Sequence, residues 1–154
     1  MGYEIKPKPV FYNGLYFRSR LECRWAAFFD MMGISYEYEP DYVTTEDWLP
    51  DFEMICNQQF LIEIKPLAFW NDELFEKLFK NSKNYNILIF HEEIYSYKDD
   101  KRVYIGKALA AEKKIRLLDF SINTGAWGMC PRHIMNFWKE AKNKTMYLQN
   151  GRGC

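Results

Sequence analysis

The sequence predicts a mixed α/β domain in which a β-sheet is flanked by helices. Residues 19–32 repeat apolar side chains with helical spacing, and residues 34–39 alternate apolar and polar side chains as a half-buried strand does. Residues 87–90 form a short apolar run that is typical of a buried strand. The length of 154 residues lies within the roughly 100–200 residues of a single domain, so we expect one domain over residues 1–154.

The N-terminal half predicts one helix followed by three strands. Asn13-Gly14 forms a turn dipeptide. Gly33 is suited to end the helix in a left-handed conformation, and the prolines at 40 and 66 stop the strands before them. The predicted elements are a helix over Ser19–Met32 and strands over Ile34–Glu39, Leu49–Ile55 and Phe60–Lys65.

The C-terminal half predicts alternating helices and strands with weaker patterns. Leucine and phenylalanine recur with helical spacing in residues 73–81, and apolar side chains do so again in residues 132–142. The predicted elements are helices over Glu73–Asn81, Ala108–Lys114 and Arg132–Lys142, and strands over Asn86–His91, Val103–Ile105 and Ile115–Phe120.

Composition excludes several classes of protein. With 48% hydrophobic and 18% aromatic residues the chain is not intrinsically disordered. It has no apolar run long enough to cross a bilayer and no N-terminal signal segment, so we expect no membrane partner. The four cysteines are widely spaced and form no CxxC pair, so we expect reduced thiols and a cytoplasmic protein. Cys130 and His133 have the spacing of half a zinc site, but no second pair accompanies them.

Three polar residues fall where the sheet should be buried. Glu63 and Lys65 are two apart on one predicted strand and therefore share a face with Leu61. A hairpin-like connection brings Asp51 near Glu63. Two close carboxylates repel each other unless a cation lies between them, and Mg²⁺ prefers such oxygen ligands. The set therefore predicts a metal-dependent phosphodiesterase site, in which a bound metal activates water and Lys65 orients it or neutralises charge.

These residues resemble the motif of the PD-(D/E)XK nuclease superfamily. The motif here is Pro50-Asp51, eleven further residues, and then Glu63-Ile64-Lys65. These nucleases also place an acidic residue on the helix before the first strand, where this chain has Glu22. The resemblance implies a restriction-endonuclease-like core of order α-β-β-β-α-β over about residues 17–91. Residues from about 100 to 154 would then form a basic C-terminal extension.

Within the superfamily, the layout is most similar to small phage and prophage enzymes of the endonuclease I type, which resolve Holliday junctions. The shared segments are Phe17–Glu22 and Gly33–Glu39. The resemblance implies that Asp51, Glu63 and the backbone carbonyl of Ile64 bind Mg²⁺, for which Mn²⁺ can substitute. It implies that Glu22 serves the same metal centre and that Lys65 serves the hydrolytic step. It further implies a phage or mobile-element origin, a branched DNA substrate and a homodimer.

Charge is segregated along the chain although its sum is zero. Residues 33–64 contain eight acidic and no basic residues, whereas residues 101–154 contain eleven basic and three acidic ones. Such segregation supplies groups that can contact phosphates around an acidic centre. The residues that we expect to bind nucleic acid are Arg18, Arg20, Lys77, Lys80, Lys113, Lys114 and Arg116.

Simpler readings of the same residues stay open. Glu22 could pair with Arg18 across one helical turn. Glu63 and Lys65 could belong to a solvated sheet face, and Lys-rich helix faces could be merely solvated. The core could also serve as a non-catalytic module that binds nucleic acid or protein, such as a phage counter-defence protein. RNA stays open as a substrate because nothing in the sequence reads a 2′-hydroxyl.

Overall fold

The computed structural model of the chain describes residues 9–43, 48–55, 59–97, 101–111, 114–123 and 128–148. In these residues a mixed seven-stranded sheet follows a separate two-stranded hairpin, and three α-helices accompany them. The predicted mixed α/β class is therefore confirmed.

The strands and helices follow one another along the chain with a short 3-10 turn at Leu67–Phe69. The strands are β1 (Val10–Tyr12), β2 (Leu15–Phe17), β3 (Ser35–Tyr38), β4 (Phe52–Ile55), β5 (Gln59–Ile64), β6 (Ile87–Phe90), β7 (Tyr95–Ser96), β8 (Arg102–Ala111) and β9 (Lys114–Asn123). The helices are α1 (Arg20–Met32), α2 (Asp72–Asn81) and α3 (Pro131–Met146).

The large sheet has the strand order β3-β4-β5-β6-β8-β7, and β9 pairs with β8. Strands β3, β4 and β5 form an antiparallel meander, whereas β5 and β6 run parallel with Leu61 opposite Ile87. A parallel pair needs a crossover connection, and α2 supplies it. The carboxyl ends of β5 and β6 therefore lie next to each other at one edge of the sheet.

Helix α1 has clear start and stop signals. Ser19 is its N-cap, and the hydroxyl oxygen of Ser19 accepts the backbone N–H of Glu22 at 3.1 Å. Gly33 ends the helix with a φ of 69°, a left-handed conformation that costs glycine little. The predicted helix is thus confirmed, and it begins one residue later than the sequence pattern suggests because the predicted first residue is the cap.

Apolar side chains cover both faces of the sheet. On one face a large cluster joins α1 and α3 to the strands, and Trp25 and Trp138 meet there with ring centroids 4.5 Å apart. On the other face a smaller cluster joins α2 to the sheet. Val43 and Trp48, from the connection between β3 and β4, complete that smaller cluster. The sheet therefore lies between two packed layers of apolar side chains.

The predicted turn at Asn13-Gly14 joins β1 to β2. Asn13 has a φ of 49° and Gly14 a φ of 82°, as a two-residue hairpin turn requires. Tyr12 pairs with Leu15 directly across this turn. The short sequence signal identified the turn correctly, but it did not predict the two three-residue strands beside it.

The predicted helix over Ala108–Lys114 is wrong. Strands β8 and β9 occupy this region as an antiparallel hairpin, and they extend the strands predicted over Val103–Ile105 and Ile115–Phe120. Ala110 lies opposite Ile87 of β6 and is fully buried. Pairing with β6 therefore outweighs the helix preference of this alanine-rich segment.

Helix α3 completes the layer that covers α1. It begins at Pro131, where a missing N–H costs nothing, and continues four residues beyond the predicted end at Lys142. The segment after residue 100 is thus built into the sheet and the helical layer. In the part of the chain that the structure describes, no helix is long and apolar enough to cross a membrane.

Candidate active site

Asp51 and the end of β5 lie side by side at the edge of the sheet. Carboxylate oxygen Oδ2 of Asp51 accepts the backbone N–H of Ile64 at 2.7 Å. The backbone N–H of Asp51 in turn donates to the carbonyl of Ile62 at 3.0 Å. The antiparallel register of β4 and β5 produces this arrangement, since it brings the residue before β4 against the residues that end β5. Asp51 is therefore held against the segment that carries Glu63 and Lys65.

Glu63 is fixed by a residue that the sequence pattern does not single out. The indole N–H of Trp48 donates to carboxylate oxygen Oε2 of Glu63 at 3.0 Å. Trp48 is only 7% exposed, and a buried indole N–H needs an acceptor. A tryptophan two residues before Pro50-Asp51 is visible in the sequence. Nothing in the sequence pattern shows that its indole N–H donates to Glu63.

Glu22 lies in the first turn of α1 and is 7% exposed. Its Oε2 accepts the Ser19 hydroxyl at 2.5 Å, and its Oε1 accepts the Tyr38 hydroxyl at 2.8 Å. Arg18 does not pair with Glu22 among the described contacts. Instead its Nε lies 2.5 Å from Oε1 of Glu39. Tyr38 and Ser19 were also missed as neighbours of the site, because periodicity does not encode side-chain partners of this kind.

The pKa of Asp51 depends on its burial and on the two neighbouring carboxylates. Burial raises the pKa of Asp51 well above its ordinary value, and the charges of Glu63 and Glu22 raise it further. A hydrogen bond with the Glu22 side chain acts in the same direction, while the N–H of Ile64 opposes it. Three neighbouring carboxylates of this kind favour a proton or a cation among them, because like charges repel each other and burial disfavours charge.

Burial also raises the pKa of Glu63, but nearby donors and cations limit the rise. The Trp48 indole and the ammonium groups of Lys65 and Lys77 lower this pKa, and Glu22 raises it. Leu61, which shares a strand face with Glu63 and Lys65, is 1% exposed, and both charged residues are half-buried. This face is therefore not a freely solvated one.

The donor set suits one class of metal ion. Among the described residues, no group of three or more His, Cys, Asp or Glu side chains is arranged to hold a metal. Mg²⁺ commonly takes only one or two carboxylates together with water and substrate oxygens, and Asp51 with Glu63 matches that count. Cys130 Sγ lies 3.5 Å from His133 Nδ1 at the exposed start of α3, without further ligands in the described part of the chain.

The residues expected to bind nucleic acid are distributed over several surfaces. Lys77 and Lys80 are exposed on α2, and Lys77 is close enough to act on the pKa of Glu63. Arg18 is exposed two residues before the first residue of α1. Lys114 and Arg116 lie on β9, and Lys113 lies outside the described residues.

Arg20 has contacts of a different kind. Its guanidinium donates to the backbone carbonyls of Thr145, Met146 and Leu148 at the end of α3. Carbonyls at the end of a helix lack partners inside it, so a cation there also complements the helix dipole. The contacts of Arg20 thus tie α1 to the end of α3.

Replacing Arg20 by Met is expected to lower the free energy of unfolding by about 1.5–3 kcal/mol, because charged hydrogen bonds to three carbonyls are lost. The measurement is urea unfolding followed by circular dichroism. Arg18→Met is the matched control, and its loss should be about 1 kcal/mol or less because Arg18 is largely exposed. Equal stability of Arg20→Met and the wild type, with weaker DNA binding, would assign Arg20 to phosphate contacts instead.

The site thus joins a carboxylate pair, a third carboxylate and two lysines at the edge of a mixed sheet. Carboxylate oxygens are the ligands that a hard cation such as Mg²⁺ prefers, and the lysines place positive charge near them. Comparison of the chain with protein-family models, with curated proteins and with solved structures finds no match.

Proposed function

We propose that the protein is a Mg²⁺-dependent endonuclease that hydrolyses phosphodiester bonds in DNA. The observation that carries the proposal is the 2.7 Å hydrogen bond from the N–H of Ile64 to Asp51, which draws one carboxylate against the Glu63-Ile64-Lys65 segment. Two carboxylates with an ammonium group beside them are suited to hold Mg²⁺ and to act on a phosphate ester.

The order of elements supports a restriction-endonuclease-like core as the finer assignment. Helix α1 precedes the meander β3-β4-β5, and α2 then crosses over to β6, parallel to β5. This is the α-β-β-β-α-β order that the resemblance to PD-(D/E)XK nucleases implies. The same resemblance, and nothing else, supports a branched DNA substrate and a homodimer.

The roles that we propose for the residues are those that the resemblance implies. Bound Mg²⁺ supplies Lewis acidity and a water of lowered pKa. Asp51 and Glu63 hold the ion, with the Ile64 carbonyl as a further oxygen. Lys65 lies on the same strand face as Glu63 and neutralises negative charge on the phosphate. Glu22, whose two oxygens accept the hydroxyls of Ser19 and Tyr38, serves the metal centre through the negative charge that it places next to Asp51.

The proposal predicts metal-dependent cleavage that requires Lys65. End-labelled branched, duplex and single-stranded DNA, and RNA of the same sequence, are incubated with Mg²⁺, Mn²⁺ or EDTA. We expect cleavage with either metal and none with EDTA. Lys65→Met should lower the cleavage rate about 100-fold or more, because a positioned charge is lost from the site.

Lys83→Met is the matched control for this experiment, since Lys83 is exposed in the turn after α2. It should cleave at the wild-type rate. DNA binding in Ca²⁺ separates a loss of chemistry from a loss of affinity. Undiminished cleavage by Lys65→Met would refute the site, and cleavage of RNA in preference to DNA would change the substrate.

A non-catalytic binding module is the second candidate. It would use basic side chains such as Lys77 and Lys80, which are exposed on α2, without a metal. Titration of the protein with Mn²⁺ distinguishes the two candidates. Nucleic-acid or protein binding without any metal binding would favour the module, whereas metal binding together with cleavage would favour the nuclease.

A further inference from the structure

We propose that Trp48 is a positioning residue that makes Glu63 a one-oxygen ligand for Mg²⁺. This inference rests on the proposed function. The indole N–H of Trp48 donates to Oε2 of Glu63 at 3.0 Å, so Oε2 is turned towards the indole. The other oxygen, Oε1, is the atom that we assign to the metal.

Trp48 is well suited to hold a carboxylate in one orientation. It is 7% exposed and packs in the smaller apolar cluster together with Leu61, Leu74 and Ile89. A large aromatic side chain has few rotatable bonds, and this packing restricts them further. Its N–H is a neutral donor, so it fixes one oxygen without adding a positive charge that would repel the ion.

Asp51 has an equivalent restraint. Its Oδ2 accepts the N–H of Ile64 at 2.7 Å, which leaves Oδ1 as the oxygen for the metal. Trp48 and Asp51 lie three residues apart, and the buried Pro50 between them restricts the backbone. One short segment therefore supplies one metal ligand and orients the other.

The one-oxygen arrangement bears on the choice of metal. Mg²⁺ demands near-ideal octahedral geometry, whereas Ca²⁺ accepts bidentate carboxylates in a flexible coordination sphere. A Glu63 carboxylate that is free to turn can offer both oxygens. The Trp48 hydrogen bond thus favours Mg²⁺ over Ca²⁺ at this site.

The test is metal binding to the full chain without DNA. Trp48→Phe keeps the aromatic packing and removes the N–H, and Kd values for Mg²⁺ and Ca²⁺ are measured by calorimetry. We expect the Mg²⁺ Kd to rise about 10-fold, the lower end of the usual effect of removing an outer-shell partner. The Ca²⁺ Kd should change less, so the preference for Mg²⁺ over Ca²⁺ should fall.

Trp138→Phe is the matched control. The Trp138 indole also donates to a glutamate, Oε2 of Glu93 at 3.1 Å, and is 3% exposed, but it lies in the cluster on the opposite face of the sheet. It should lose similar stability and leave both Kd values unchanged. In the wild type, the indole N–H resonance of Trp48 should shift when Mg²⁺ is added, and that of Trp138 should not.

Failure of this inference is distinguishable from failure of the proposed function. A wild-type protein that binds Mg²⁺ while Trp48→Phe keeps both Kd values would overturn the role of Trp48 alone. An equal loss of affinity in Trp138→Phe would do the same, as would an unshifted Trp48 resonance should Trp48→Phe fail to fold. A wild-type protein that binds no Mg²⁺ would overturn the proposed function and this inference together.

Discussion

Replacing Asp51 by Asn is expected to stabilise the metal-free protein and to abolish the metal-dependent cleavage that we propose. The Asp51 charge is disfavoured by burial and by the charges of Glu63 and Glu22. An amide oxygen still accepts the N–H of Ile64, and the amide N–H donates to Glu22. The variant thus keeps these hydrogen bonds and loses the repulsion, although a neutral amide is a poorer ligand for Mg²⁺ than a carboxylate.

The stability gain should depend on pH. The folded pKa of Asp51 is raised above the ordinary value of 3.8, so the folded protein retains a proton that the unfolded chain has already released. Stability of the wild type therefore falls as pH rises from about 4 towards the folded pKa. The Asp51→Asn variant has no such proton, so its stability curve in EDTA should lie above that of the wild type at neutral pH.

Thermal unfolding in EDTA between pH 4 and pH 8 measures this effect. A gain of about 2–4 °C in Tm corresponds to roughly 1 kcal/mol for a domain of this size. Mg²⁺ should raise the Tm of the wild type at neutral pH and leave that of Asp51→Asn unchanged, since the proposed metal site needs the Asp51 carboxylate. Asp41→Asn, at an exposed carboxylate, is the control. A lower Tm for Asp51→Asn than for the wild type in EDTA would contradict the argument.

Trp25→Ala is expected to remove a large share of the free energy of unfolding. Trp25 is fully buried. The centroid of its ring lies 4.7 Å from the ring centroid of Phe90 and 4.5 Å from that of Trp138. Its indole N–H also donates to the carbonyl of His91 at 2.9 Å. Loss of the ring leaves a cavity and an unsatisfied carbonyl, at a cost of about 3–5 kcal/mol. That is a large share of a total stability of about 5–15 kcal/mol.

Urea unfolding at 25 °C measures the cost of this cavity. Trp25→Phe retains most of the ring contacts and should lose less, which separates the hydrogen bond from the packing. Tyr147→Ala is the surface control, because Tyr147 is 84% exposed, and it should change stability by about 0.5 kcal/mol or less. A Trp25→Ala protein within about 1 kcal/mol of the wild type would mean that the core repacks around the cavity.

Local signals were sufficient for most elements of the fold. The start and end of α1 depend on Ser19 and Gly33, which act through their own backbone neighbourhood. The turn at Asn13-Gly14 is likewise a property of two residues. The segment over Ala108–Lys114 was mispredicted because its conformation depends on pairing with β6, a partner about twenty residues away in the sequence. Local propensity does not contain that information.

In the candidate site, too, local spacing predicts some features, whereas contacts between distant elements are not predictable from it. Two-residue spacing and the hairpin between β4 and β5 were enough to bring Asp51 to the end of β5. The hydrogen bond from Trp48 to Glu63 and that from Tyr38 to Glu22 cross between elements, and no spacing rule predicts them. Arg20 was expected to bind nucleic acid because it adds to the basic charge of its segment. A count of charges does not show that its guanidinium donates to a backbone carbonyl of α3.

The contact between Arg20 and the end of α3 has a consequence for how the chain is made. The guanidinium and the carbonyl of Thr145 are separated by 125 residues. At about 5–20 residues per second, a ribosome needs about 6–25 s to synthesise that interval. Helix α1, which carries Glu22, leaves the ribosome well before the helix that packs on it. The position of α1, and with it that of Glu22, is therefore expected to become fixed only after α3 has been translated.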